Sequence, residues 1–110
     1  MTNDESLLAA TTTIATIEQA EELARQIVAQ HRAACVQIDG PISSHYVWEG
    51  AVQRETEWRL TIKTTRAGLP ALEELVHRLH PYELPQWWVA APHSVSDSYA
   101  RWVSESVQTS

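Results

Sequence analysis

Four strand-like segments and two amphipathic helices alternate along this chain in the order β-α-β-β-α-β, with a third helix after them. That order predicts an α+β fold, a ferredoxin-like split-βαβ sandwich plus a C-terminal helix, with an antiparallel sheet covered by helices. Two segments with helical spacing carry the prediction, together with one long run of strict alternation and turn residues between the elements.

Leu7-Leu8-Ala9-Ala10-Thr11-Thr12-Thr13-Ile14 reads as the first strand. Ile17, Ala20, Leu23, Ala24, Ile27 and Val28 then recur at helical spacing, predicting a helix over about 18–32, with Glu18, Glu21 and Glu22 in its early turns. A second strand starts at Cys35, is interrupted by Asp39-Gly40-Pro41 and resumes from Ile42 to Trp48. Gly-Pro within a strand marks a bulge or bend, because proline cannot donate to the ladder. Glu49-Gly50 is the expected hairpin turn.

From Val52 to Lys63 the alternation has period two, with Val52, Trp58, Leu60 and Ile62 on one side. This run is about twice the usual strand length, so the hairpin arms should project beyond the domain body. Projecting arms leave backbone groups unpaired, and pairing with copies of the same chain is the simplest cover.

Leu69, Leu72, Leu75, Val76 and Leu79 mark a second helix that must stop at His80, ahead of Pro81. Gln86–Ala91 reads as a fourth strand. Ser94 or Ser96 caps a last helix with Tyr99, Trp102, Val103 and Val107 on one face.

The 110 residues make one domain, with 1–6 expected as a flexible tail. A net charge of −6, with Lys63 the single lysine, argues against nucleic acid or an anionic membrane as a partner. No apolar stretch approaches the length of a membrane span, and an acidic N-terminus is unlike a signal peptide, which leads to a cytoplasmic expectation. Cys35 is the one cysteine, so neither an intrachain disulfide nor an all-cysteine zinc site can form within one chain. Its place at a strand start suits a small buried hydrophobe. Five Trp, three Tyr and no Phe suggest large interfaces or a lined cleft.

The chemistry concentrates in His80-Pro81-Tyr82-Glu83-Leu84-Pro85, where an imidazole, a phenol and a carboxylate are held on a proline-stiffened connector. Tyr46 and Trp48 alternate on one side of the second strand, opposite Gln53 and Ala51 if the turn has two residues. They could form a subunit contact or an aromatic wall for a cleft. Lys63 beside Thr64-Thr65 could hold an anion or sit on a solvated face. Glu57 shares that face and reads as a partner for Arg59 or a neighbouring subunit. The adjacent Trp87 and Trp88 should point to opposite faces, and His31, His45, His77 and His93 lack ligand spacing.

Ala33-Ala34-Cys35-Val36, Ser44-His45-Tyr46-Val47-Trp48-Glu49-Gly50, Lys63-Thr64-Thr65, the His80–Pro85 run and Tyr99-Ala100-Arg101-Trp102 together resemble the CutA divalent-cation tolerance family. The resemblance implies a homotrimer with PII-like architecture and a role in the response to metal ions, without an established reaction. It implies a ligand cleft between subunits near Tyr46, Trp48, Lys63, Tyr82 and Glu83. It also implies a copper-type site at three positions occupied here by Thr12, Leu79 and His80, of which only His80 has a side chain of the kind that ligates copper. A divalent metal, Cu or Zn, is therefore a possible cofactor. The competing classes are an enzyme using His80 with Glu83 or Lys63 as acid–base groups, and a PII-like signalling or scaffold trimer that recruits a protein partner and has no physiological metal site.

Overall fold

The computed structural model describes residues 5–109. Its elements are β1 (Leu7–Ile14), α1 (Ile17–Ala29), β2 (Cys35–Trp48), β3 (Ala51–Thr65), α2 (Leu69–Leu79), β4 (Trp88–Ala90) and α3 (Asp97–Ser106). The four strands form one antiparallel sheet in the order β2-β3-β1-β4. The ferredoxin-like expectation holds.

Local chemistry sets the helix ends. The Thr16 hydroxyl accepts from the Gln19 N–H and caps α1. At the other end His31 takes a left-handed φ of 57°. Its N–H donates to Val28 and the Arg32 N–H to Ile27, the paired bonds of a Schellman motif. This geometry ends α1 at Ala29, short of the expected residue 32. His80, extended at ψ 132°, ends α2 ahead of Pro81. Ser96, not Ser94, caps α3 by accepting from the Tyr99 N–H.

The core lies between the sheet and helices α1 and α2. Ala10 and Ile14 of β1 and Leu60 and Ile62 of β3 meet Ala20, Leu23 and Ile27 of α1 and Leu72, Leu75 and Val76 of α2. Trp87 packs against this cluster while Trp88 stays half-exposed. Of the apolar face expected on α3, Val103 is fully buried, but Tyr99 and Trp102 remain substantially exposed. No helix of the described residues is long and apolar enough to cross a membrane.

Three expectations need adjusting. β4 has three residues instead of six: Pro85 and Pro92 bracket it, and Gln86 leaves the ladder to accept a side-chain bond from the Thr13 hydroxyl. Cys35 is only partly buried in the protomer. Of the tail, residues 1–4 lie outside the described residues, whereas the Ser6 carbonyl accepts from the Arg66 N–H.

β3 is longer than the sequence pattern implied, at 15 residues. β1 accompanies it only from Thr65 to Trp58, so residues 51–57 pair with β2 alone. The molecule accordingly measures 44 × 27 × 21 Å. Glu49 and Gly50 form the two-residue turn with φ of 50° and 80°, both positive as a type I′ turn requires.

The interruption in β2 is a bulge. Asp39 pairs with Arg59 and Ile42 with Glu57, leaving Gly40 and Pro41 opposite Trp58. The extra residue reverses the facing of everything after it. Val36 and Ile38 pair with Ile62 and Leu60 toward the core, whereas Ile42, Tyr46 and Trp48 pair with Glu57, Gln53 and Ala51 on the opposite face. Gly40 has φ 151°, and a Cβ there would stand 2.8 Å from Trp58 Cε3. Gly40→Ala should therefore destabilise the fold by about 2–3 kcal/mol, to be read from urea denaturation midpoints. An unchanged midpoint would mean that Trp58 moves aside freely.

Candidate functional site

The α2–β4 connector closes over the place where β1 ends. His80 is 8% exposed. Its Nε2 lies 2.7 Å from the Thr13 carbonyl, and its Nδ1 lies 3.1 Å from the Tyr82 backbone nitrogen. A carbonyl only accepts and an amide only donates, so Nε2 carries the proton and Nδ1 offers its lone pair. Burial pushes the imidazole pKa below its ordinary value of 6.5, and nearby His77 adds to this. The Thr13 bond and the Glu57 charge oppose them. The neutral ring fits both of its hydrogen bonds.

Tyr82 folds back so that its ring meets the His80 ring edge-on, with centroids 4.7 Å apart. Its hydroxyl donates to Glu57 Oε2 at 2.9 Å. Burial and then the Glu57 carboxylate raise the phenol well above its ordinary pKa. Glu57, 8% exposed, is the residue of β3 just beyond the end of β1. Its partner is thus Tyr82, while Arg59 turns to Asp39 at 2.7 Å. Tyr46 shares this face; burial, then Glu55 and Glu57, raise its phenol as well. The Glu57–Tyr82 contact was not legible in the sequence because the two residues are joined only by the strand ends and the connector.

Of the residues expected to line one cleft, Tyr46 and Tyr82 belong to this part of the molecule and Glu83 is an exposed connector residue, whereas Trp48, opposite Ala51 at the tip of the arm, lies six residues along β3 from Glu57. Lys63 is on the same sheet face but six residues along β3 from Glu57, about 20 Å at the usual rise. Its ammonium donates to Gln37 Oε1 at 2.7 Å. Within one protomer these five residues do not meet.

The copper-type set does not fit a metal within one protomer either. Thr12 is completely buried, and its hydroxyl is the one buried side-chain polar atom without a partner among the described residues. Leu79 offers no donor, and opens with Glu18 and Glu22 of α1 onto a groove of about 380 Å³. His80, the expected ligand, has both nitrogens engaged. No three His, Cys, Asp or Glu side chains among the described residues converge to hold an ion.

The depressed His80 pKa sets a pH dependence. An unfolded chain takes up the His80 proton at a higher pH than the folded one. The contribution is therefore complete above pH 6.5 and lost as the pH falls through the folded pKa. Wild type should lose up to about 1.4 kcal/mol per pH unit in that window, and His80→Gln should flatten the slope. Equal slopes in denaturation series from pH 7.5 to 5 would remove His80 from this role.

Comparison with known proteins agrees with the geometry. Residues 8–106 match the family model for the CutA1 divalent ion tolerance protein. The chain is 35% identical over 108 residues to protein CutA of Mus musculus, covering 96% of this chain and 61% of the mouse protein. It is 37% identical over 94 residues to the divalent-cation tolerance protein CutA of Thermus thermophilus, covering 84% and 90%. The solved structure of CutA from Synechococcus elongatus superposes with a TM-score of 0.89 at 39% identity, covering 94% of this chain and 92% of that one. The chain thus spans less than two thirds of the mouse relative but most of the bacterial ones. On its sequence, its sheet order and its superposition, this chain belongs to the CutA1 family of divalent ion tolerance proteins.

Proposed function

We propose that this chain works as a non-enzymatic homotrimer of PII-like architecture. Its ligand cleft closes where the β2–β3 arm of one protomer meets the body of another. The observation that carries the reading is the arm itself. Val47 and Val52 are 68% and 80% exposed, and they pair with each other on the ribbon face opposite Tyr46 and Trp48, which are 40% or so exposed. A two-stranded ribbon with apolar side chains on both faces is marginal alone in water. Further copies of the chain would cover it and extend the outer edge of β2.

In that assembly a divalent cation such as Cu or Zn, or a small ligand, would lie near Tyr46, Trp48, Tyr82 and Glu83, with donors from more than one chain. His80, the imidazole of the acid–base reading with Glu83 or Lys63, is occupied in holding the connector, which supports a binding role over a catalytic one.

A second reading, a signalling or scaffold trimer without a physiological metal site, draws support from the engaged His80 nitrogens and from Thr12 and Leu79.

Light scattering at micromolar concentration should return about three times the 12.4 kDa of one chain, and Val47→Asp with Val52→Asp should release single chains. A lone chain in wild type would end the trimer reading. Calorimetric titration with Cu²⁺ and Zn²⁺ separates the two ligand readings. A metal bound between protomers should bind wild type and be lost in the double variant. Absence of saturable heat in assembled wild type would leave the scaffold.

A further inference from the structure

Glu57 is a carboxylate taken out of water at the foot of the arm. It is 8% exposed, and its single hydrogen-bond partner among the described residues is the Tyr82 hydroxyl. No ion pair among those residues reaches it. A phenol supplies one neutral donor, whereas a carboxylate has about four acceptor sites. A buried charge is costly unless an opposite charge meets it. Glu57 therefore calls for a cation.

Alternation places Arg59 and Lys63 on the same face of β3 as Glu57. Arg59 is already held by Asp39, to which it donates through Nε and Nη2 at 3.2 and 2.7 Å. Lys63 donates to the neutral amide oxygen of Gln37 in an exposed bond, and an ammonium has further donors to give. It can turn to a carboxylate without breaking an ion pair. Within one chain it cannot reach Glu57, because six residues of strand put the two about 20 Å apart.

Their placement suits a second copy of the chain. Glu57 stands where β3 leaves β1 and enters the arm, at the edge of the surface that the proposed assembly covers. Lys63 stands toward the other end of the same strand. A group at one end and its complement at the other make a head-to-tail contact. Such contacts, when they close, give rings in which every copy is satisfied.

We infer that Glu57 of each protomer pairs across the interface with Lys63 of the next, and that this ion pair, backed by the Tyr82 hydroxyl, locks the ring. The inference rests on the trimer proposed above and assigns both charges to assembly instead of to ligand binding.

The test is a double-mutant cycle on the full chain, with assembly followed by light scattering over a dilution series and folding by circular dichroism. Lys63→Met leaves the buried carboxylate unpaired and should weaken assembly at least tenfold, whereas Lys63→Arg should keep it. Glu57→Gln still accepts from Tyr82 and should weaken assembly less. The two changes together should assemble better than Lys63→Met alone, because the uncompensated charge is gone. In single chains released by Val47→Asp with Val52→Asp, Lys63→Met should leave the urea midpoint unchanged, since the pair acts only between copies.

Additive effects of the two changes, or a Lys63→Met protein that assembles like wild type, would overturn the inference and leave the trimer standing. So would saturable binding of methylguanidinium to wild type and not to Glu57→Gln, which would give the carboxylate to a ligand. A lone wild-type chain would end both readings. The same rescue in a closed assembly of another order would support the pair while ending the trimer.

Discussion

Two residues of β2 opposite one residue of β3 decide what this molecule presents on each side of its sheet. Gly40 and Pro41 face Trp58, and beyond them every side chain of β2 has changed sides. Without that extra residue, Tyr46 and Trp48 would lie on the side of α1 and α2, and the polar partners of the arm would face away from them. With it, Val36 and Ile38 contribute to the core while Ile42, Tyr46 and Trp48 join Glu55 and Glu57 on the face away from α1 and α2. Only glycine allows the strand to pass so near the Trp58 ring at that φ.

The second organising fact is a mismatch of lengths. β1 has eight residues and β3 fifteen, so the sheet narrows to a ribbon at Glu57. The α2–β4 connector occupies the space that β1 vacates. His80 bonds to the Thr13 carbonyl, Gln86 to the Thr13 side chain and Tyr82 to Glu57. Prolines at 81 and 85 limit the ways the connector can bend, so few bonds suffice to fix it. The imidazole thereby acts as a strut. A ring nitrogen that accepts from an amide and another that donates to a carbonyl leave no lone pair for an ion.

The face away from α1 and α2 thus carries two chemically different regions. Near the arm, phenols and carboxylates surround Glu57, and burial together with negative charge keeps Tyr82 and Tyr46 protonated. Nearer α3, small residues and a single ammonium have the opposite electrostatic character. The rise of β3 separates them, so within one chain the ammonium does not reach the carboxylates.

Much of this was legible in the residues themselves. Hydrophobic spacing located α1 and α2, alternation located β3, Glu49-Gly50 gave the turn and Gly40-Pro41 the bulge, because each depends on neighbours a few positions apart. The pairing of Tyr46 with Gln53 and Trp48 with Ala51 followed from the turn alone. What the chain could not disclose by local pattern were contacts between distant segments. Tyr82 with Glu57 is 25 positions apart, and His80 with Thr13 is 67. These depend on where β1 stops against β3 and on how the connector crosses that end. The same holds for Glu57, whose strand position was evident but whose burial follows only once the connector is packed beside it. Local sequence fixes periodicity and turns; the meeting of remote side chains is set by register, and register is a property of the assembled sheet.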